Sequence, residues 1–269
     1  MASEKPVICI FTKGDPISLQ TEFQLRKKLE FRGFELRNRF DPSAELIVCI
    51  GGDGSFLKTV HECGFADIPY VGINTGHLGF FQEFQPDSLD AFIESYLNQR
   101  YSLQTLEVLT ARFQDEDGPQ ESQAINEIVI RGAKPRTIHL DLSIGDSRIQ
   151  RFSGDGLLIS TPAGSTAYNY ALGGSIVDPR LALLQVTPIS PMNTTAYRSF
   201  TSSVLLPADM SVLIEPEKDQ EKEVLIIGDG LAEKKRKEGS IEIFLSGKQL
   251  RLMRLETYRF WNKVKSKFL

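Results

Sequence analysis

Residues 50–55 read IGGDGS, directly behind the apolar run ELIVC of residues 45–49. A short apolar run that ends in glycines is a buried strand meeting a tight turn, and Ser55–Glu62 behind it reads as a helix. Strand, turn and helix in that order is the unit of a parallel sheet covered by helices. Ending a strand takes one turn residue, whereas this turn has three glycines around one carboxylate, Asp53. Two readings follow. A glycine-rich turn at a helix start presents backbone N–H groups and partial positive charge, both of which favour phosphate. Asp53 would then act on the other reactant, accepting a proton from a hydroxyl that attacks phosphorus or helping to hold Mg²⁺. Alternatively, Asp53 simply caps the helix. The stretch matches neither the Walker A pattern GxxxxGK[ST] nor the dinucleotide fingerprint GxGxxG.

The same rhythm extends on both sides. Val7–Phe11 (VICIF) predicts a buried strand, Ser18 a cap for a helix through about Arg32, and Gly33 its stop. Leu19, Phe23 and Leu29 are expected near one face of that helix. Pro69–Ile73 predicts a third strand, Asn74–Gly76 a turn, and Ser88–Gln99 a helix with Leu89, Phe92, Ile93 and Leu97 on its apolar side. From about residue 101 the period changes. Thr137–Ile144 (TIHLDLSI) alternates strictly, Gly145-Asp146 turns, and Arg148–Phe152 returns as a hairpin partner. Val212–Ile214, Val224–Ile227, Ile241–Leu245 and Leu250–Leu255 predict further strands. Glu233–Glu238 (EKKRKE) reads as a solvated turn. Thr257–Leu269 places Tyr258, Trp261, Val264 and Phe268 at helical spacing, with its four Lys and Arg on a solvated face. The expected domains are 1–100, an α/β domain with a Rossmann-like parallel sheet; 101–252, a β-rich domain; and 253–269, a helix returning to the first.

Composition excludes several classes. The 269 residues are 41% hydrophobic and 25% charged, as in an ordinary globular protein, and the net charge of −4 argues against nucleic acid as a partner. No run approaches the length that spans a bilayer, and no signal peptide is read, so the expectation is a cytoplasmic protein without membrane partners. Cys9, Cys49 and Cys63 lack CxxC spacing and read as buried reduced thiols. His61-Glu62 is not HExxH, no zinc-type ligand cluster is read, and His77 is taken as a structural turn residue.

A second special stretch covers residues 153–174, SGDGLLISTPAGSTAYNYALGG. Gly154-Asp155-Gly156 opens it, Leu157–Ser160 is a strand, and Thr161–Thr166 is a run of small and hydroxyl residues before a short helix at Tyr168–Leu172. Such a run offers amides and hydroxyls at close range to a ligand rich in acceptors, and Tyr168 adds an aromatic face. Together with GGDGS at 51–55, NTGHLGFF at 74–81 and the Asn126-Glu127 pair in INEIVI, these motifs stand in the order and spacing of one family. The chain resembles the NAD kinases, which phosphorylate the 2′-hydroxyl of the adenosine ribose of NAD with ATP to give NADP. GGDG[ST] alone also resembles diacylglycerol kinases, sphingoid-base kinases and phosphofructokinases; the long second motif with the NE pair separates them.

The resemblance implies a two-domain NAD kinase-like fold, NAD and ATP as substrates, a divalent metal (Mg²⁺) and a homotetramer or homodimer. It leaves inorganic polyphosphate open as a donor. It implies Asp53 as proton acceptor, Gly54 against NAD, Phe80 beside adenine, Asn126 on the adenine edge and Glu127 on the ribose. Asp155 would approach the nicotinamide end, and Thr166, Ala167 and Tyr168 would line the dinucleotide, with Arg151, Ala163, Asn169, Ala171 and Ser190 completing the set. Three departures stand out: Ser55 for the commoner threonine, Ser153 where many members are basic, and Ala163 for a hydroxyl residue. Arg151, two positions before Ser153 in a strand, shares its face.

Overall fold

A computed structural model of the chain describes residues 5–77, 79–115, 118–195, 198–218, 223–236 and 239–268. The chain separates into two compact units, Met1–Leu106 with Gln249–Leu269, and Glu107–Lys248.

The first unit alternates strand and helix: β1 (Val7–Thr12), α1 (Pro16–Phe31), β2 (Glu35–Arg37), β3 (Ala44–Gly51), α2 (Asp53–Glu62), β4 (Tyr70–Asn74), β5 (Gln82–Phe84) and α3 (Leu89–Leu97). β1 pairs in parallel with β2 and β3, β3 with β4, and β4 with β5. β3 is buried from Leu46 to Gly51 because a parallel strand here is covered on both faces. The α/β reading of the glycine turn therefore holds.

Two details of α1 differ from expectation. Its cap is Asp15, whose carboxylate accepts from the Ser18 amide at 3.1 Å and the Ser18 hydroxyl at 2.9 Å. Pro16, just inside the start, suits the first helical position. The buried stripe is Ser18, Thr21, Leu25 and Leu29, while Leu19 and Phe23 are 50% and 59% exposed. The two hydroxyl residues are buried with their polar atoms satisfied, Ser18 by Asp15 and Thr75 and Thr21 by the Ile17 carbonyl, so apolar content misreported the buried side. Leu97 of α3 is likewise exposed, whereas Leu89, Phe92 and Ile93 are buried.

The second unit is built from strands: most of β6 (Ser102–Asp115), then β7 (Gly118–Ala124), β8 (Glu127–Gly132), β9 (Ile138–Ile144), β10 (Ser147–Gly154), β11 (Gly156–Ser160), the short α4 (Tyr168–Ala171), β12 (Leu183–Ile189), β13 (Val204–Pro207), β14 (Val212–Pro216), β15 (Val224–Gly228), β16 (Ala232–Arg236) and β17 (Ile241–Arg254). One antiparallel sheet runs β13-β12-β11-β8-β15-β16. A second antiparallel group runs β10-β9-β14-β17. Ile130, Phe152, Leu157, Ile159, Ile214, Ile226 and Ile243 share one apolar core. β9 alternates buried and half-buried residues, as its sequence predicts.

Two strand expectations are corrected. The charge run is not a turn: Glu233–Arg236 lies within β16, paired to β15, and residues 237–238 lie outside the described residues. An edge strand tolerates charge because one side of its ladder faces water. Ile241–Leu245 and Leu250–Leu255 belong to one strand, β17, whose polar middle at Ser246 and Gly247 is exposed. Backbone pairing does not need apolar side chains, so the ladder continues through the dip.

Beyond residue 248, β17 belongs to the first unit and pairs in parallel with β4 at Leu252 and Tyr70. α5 (Phe260–Phe268) follows and buries Val264, with Trp261 53% exposed. Cys9, Cys49 and Cys63 are free and buried, and burial pushes the Cys63 thiol up to about 12. No helix among the described residues is long and apolar enough to cross a membrane.

Candidate active site

Asp53 is the first residue of α2, and Gly52 is the cap. The carboxylate makes no capping hydrogen bond to its own helix. It reaches the 79–81 segment instead: Oδ2 accepts from the Phe80 amide at 2.8 Å and Oδ1 from the Phe81 amide at 3.0 Å. The capping alternative is therefore displaced by a long-range contact. Two amides hold the plane of the carboxylate and leave each oxygen further lone pairs for a ligand. Phe56, one turn along α2, stacks on Phe81 with centroids 4.8 Å apart. The same helix turn thus pins both the amide pair and the ring behind it.

Gly79 is required by this approach. A Cβ there would lie 2.2 Å from Asp53 Oδ1. The 74–76 turn is fixed from the other side: the Ser18 and Thr75 hydroxyls share a hydrogen bond of 2.6 Å, and the Gly76 amide donates to Asn74 Oδ1 at 3.1 Å. Ser18, the expected cap, works instead as a brace for this loop.

Behind Phe80 stands a buried charge network. Arg254, 3% exposed, donates from Nη2 to the Phe80 carbonyl at 2.8 Å, from Nη1 to Glu83 Oε2 at 3.1 Å and from Nε to Gln104 Oε1 at 2.7 Å. Its guanidinium lies 3.9 Å from the Tyr258 ring centroid. Lys263 Nζ donates to the Gln82 carbonyl and lies 3.8 Å from Glu83. Burial, followed by the Arg254 charge, pulls Lys263 down to about 8. Phe80 itself is 7% exposed, with its ring against Phe260 and Phe268.

A cavity of about 510 Å³ opens beside Asp53, within the range of small-molecule sites. Lys13, Ser55, Thr75, His77 and Lys267 line it together with the glycine turn. His77, expected as a structural residue, therefore faces this space. Neither Lys13 nor Lys267 was singled out in the sequence, since no local pattern marks a lysine that only the fold brings to the turn.

The second unit gathers its own polar cluster. The Asp229 carboxylate accepts from the amides of Ile125 at 2.9 Å, Asn126 at 2.7 Å and Glu127 at 3.4 Å. Asp229 was missed, although residues 228–230 spell the same GDG found at 52–54 and 154–156. Asn126 Oδ1 and Glu127 Oε2 are buried without a hydrogen-bond partner. Native proteins rarely leave such atoms unpaired, so both oxygens are acceptors left open by the fold. Burial, with the Asp229 charge second, pushes Glu127 from 4.5 up to about 8.

The 161–164 turn is wedged against this pair. Thr161 donates through Oγ1 to the Ile125 carbonyl at 2.6 Å and through its amide to the Asn126 carbonyl at 2.9 Å. A Cβ at Gly164 would lie 2.1 Å from that Asn126 oxygen. Thr166 is 7% exposed, Ala163 and Ala167 are half-buried, and Tyr168 is 42% exposed. Ala171 is exposed beside them in α4. Asn169 is fully buried and its amide is used within the fold: Nδ2 donates to the Ser165 and Ser175 carbonyls, and Oδ1 accepts from Thr187 Oγ1 at 2.6 Å. Asp155 and Ser190 are exposed, at the joins after β10 and β12, and the Asp155 amide donates to the Ile189 carbonyl at 3.0 Å. Arg151 pairs with Glu217. Ser153 is fully buried, its hydroxyl 2.8 Å from His139 Nδ1. A basic side chain in place of Ser153 would have to displace that pair.

Known proteins resemble the chain on both units. Residues 16–101 match the model of the ATP-NAD kinase N-terminal domain, and residues 125–255 that of the ATP-NAD kinase C-terminal domain. An NAD kinase of Finegoldia magna is 34% identical over 273 residues, covering 100% of both chains. An NAD kinase 2 of Halalkalibacterium halodurans is 35% identical over 227 residues, 84% of each chain. Among solved structures, yeast NADH kinase complexed with NADH superposes with a TM-score of 0.84 at 20% identity, covering 98% of this chain and 87% of that one. An Archaeoglobus fulgidus NAD kinase in complex with ATP gives 0.77 at 24% identity, covering 97% and 99%. At these identities the two structures speak for the fold.

Proposed function

The chain belongs to the NAD kinase family, and from that premise we propose that it transfers the γ-phosphoryl group of ATP to the 2′-hydroxyl of the adenosine ribose of NAD, with Asp53 as the proton acceptor. The observation that carries this reading is the Asp53 carboxylate, held in plane by the Phe80 and Phe81 amides at the mouth of a glycine-rich, lysine-bearing cavity. Phosphoryl transfer runs through a loose transition state, so the attacking hydroxyl sheds its proton late and a weakly basic carboxylate suffices. What the protein must supply is position and compensating charge.

Asn126 and Glu127 suit the acceptor. NAD offers an exocyclic adenine amine and ribose hydroxyls, which are the donors that the unpaired Asn126 Oδ1 and Glu127 Oε2 lack. Tyr168 and Thr166 offer a face and a hydroxyl to the same ligand, and Gly54, Ala163, Ala167 and Ala171 present backbone and small side chains at close range. Asp155, Arg151 and Ser190 take the contacts the family resemblance assigns. For Asn169 the support is indirect, since its amide orients the 165–175 segment that carries Tyr168.

Magnesium fits this donor set as a companion of the nucleotide. Among the described residues no three His, Cys, Asp or Glu side chains converge. Mg²⁺ commonly keeps water and substrate phosphates with one or two carboxylates, and Asp53 is the carboxylate on offer. When bound, the ion would neutralise charge on the phosphate oxygens. Three free cysteines fit a reducing compartment, and we place the protein in the cytoplasm as a homotetramer or homodimer; light scattering measures the latter.

The decisive assay incubates the protein with NAD, ATP and Mg²⁺ and reads NADP with an NADP-specific dehydrogenase. Steady NADP formation that stops on chelation supports the proposal. Bound NAD without NADP, across ATP, polyphosphate and several metals, overturns it in favour of a nucleotide-binding protein without turnover.

A further inference from the structure

The sequence reads the tail as a helix whose lysines face water. α5 places two of them otherwise. Lys263 is turned inward to Glu83, and Lys267 reaches the glycine turn. Lys267 Nζ lies 3.8 Å from Asp53 Oδ2 and 4.7 Å from the centroid of the Phe80 ring, its side chain 34% exposed. Lys13, from the loop after β1, lines the same cavity. Its nearest carboxylate is Asp15 at 3.5 Å, with the lysine side chain 60% exposed.

Asp53 therefore has an ammonium group beside it at the mouth of a space that a second ammonium also lines. The chemistry of the reaction makes that arrangement informative. A triphosphate donor must bring three or four negative charges up to the carboxylate that takes the proton. That approach is repulsive unless cations flank it. The α2 start contributes amides and partial positive charge but no full charge. Arg254 and Lys263 are engaged with Glu83 and the 80–82 carbonyls. Among the lining residues, Lys13 and Lys267 are the cations with exposed reach, and the Lys267 ammonium group sits over the Phe80 ring face at the edge of this space.

We propose that Lys267 and Lys13 form an ammonium pair that receives the triphosphate of the phosphoryl donor beside Asp53, making the last turn of α5 part of the donor site. The assignment rests on the reading of Asp53 as the acceptor-side base. Lys267 shields the carboxylate while the site is empty and shifts its contact to phosphate when the donor enters. It is a binding residue for the donor and not for NAD.

Calorimetry with Mg·ATP and with inorganic triphosphate, alongside initial rates, tests this. Lys267→Gln is expected to weaken both ligands and raise the KM for ATP by about tenfold, the scale of one charge-assisted phosphate contact. The NAD dissociation constant should stay within about twofold, as only the donor gains from this charge. Lys13→Gln should act in the same direction, Lys267→Arg should restore most of the affinity, and Lys265→Gln, on the exposed face of the same helix, should leave the wild-type values. Unchanged affinity for ATP and triphosphate in both Lys267→Gln and Lys13→Gln overturns the proposal, as does an equal loss for NAD. If the wild type makes no NADP yet binds triphosphate in a Lys267-dependent way, the ammonium pair stands and the reading of the reaction fails.

Discussion

Asp53 and Glu127 are two carboxylates with opposite surroundings. Asp53 is held by two amides and an ammonium group, while Glu127 is buried beside another carboxylate. Asp53→Asn keeps the size and one acceptor oxygen but cannot take a proton. It is expected to fold, bind NAD and lose at least ~10²-fold in turnover, the usual scale for an acid–base group; a near-normal rate in the NADP assay removes Asp53 from the chemistry. Glu127 gives a pH prediction. Its folded value of about 8 lies above the ordinary 4.5, so between these the native state holds a proton that the unfolded chain has released. Its contribution is fully present below about 4.5, and stability falls as pH rises from there to about 8, levelling off above. Glu127→Gln removes that dependence. Urea midpoints at pH 5.5 and 8.5 should drop more in the wild type than in the variant, and parallel drops refute the assignment.

At the scale of elements, the glycine turns work because backbone comes closer to backbone than any side chain allows. Gly164→Ala puts a methyl group into the Asn126 carbonyl, and overpacking of this kind costs about 1–3 kcal/mol. The expected result is a lower Tm together with a weaker affinity for NAD, because Asn126 and Glu127 shift with the turn. A Tm within a degree of wild type argues against the close approach. The network behind Phe80 is a second case. Arg254→Met leaves Glu83 buried with Lys263 at 3.8 Å and the Leu255 amide at 3.1 Å but without its closest cation, and breaking a buried pair in this way costs about 3–5 kcal/mol. Chemical denaturation measures that loss; a drop below about 1 kcal/mol would mean that the ion pair is dispensable.

At the scale of the whole molecule, each unit has its own core and its own polar cluster, the first around Asp53 and the second around Asn126 and Glu127. Ligands that bind only the native state stabilise it by mass action, about 2.7 kcal/mol at one hundred times Kd. NAD should therefore raise the Tm of the wild type by several degrees, and Asp53→Asn should keep that shift while Glu127→Ala loses most of it. The reverse pattern would place the acceptor on the first unit alone. Melting curves with and without NAD separate the two outcomes.

Much of this is legible in the sequence alone. Apolar runs ended by glycines gave β1, β3 and β4, and strict alternation gave β9, because buried strands and half-buried strands have local periods. The motifs that carry the family are contiguous, since a turn that must approach a ligand is built from neighbouring residues. β6, β7 and β13 carry mixed polar sequences whose buried positions follow no clean period, and the nearly continuous burial of β8 and β12 includes the polar Glu127, Gln185 and Thr187, so neither signal stands out locally. The inward face of α1 is not legible for the related reason that Ser18 and Thr21 are buried with their hydroxyls satisfied by hydrogen bonds and not by hydrophobicity.

The sequence by itself determined the alternating first unit, the strand-rich second unit and the family, and it singled out Asp53, Asn126 and Glu127 as candidates, all of which rest on local pattern. Only the tertiary structure decided what surrounds them. Lys267 is 214 residues from Asp53 in the chain, Asp229 is 103 from Asn126, and Arg254 is 174 from Phe80. Charge acts through space, so the groups that hold and balance a carboxylate leave no mark beside it in the sequence.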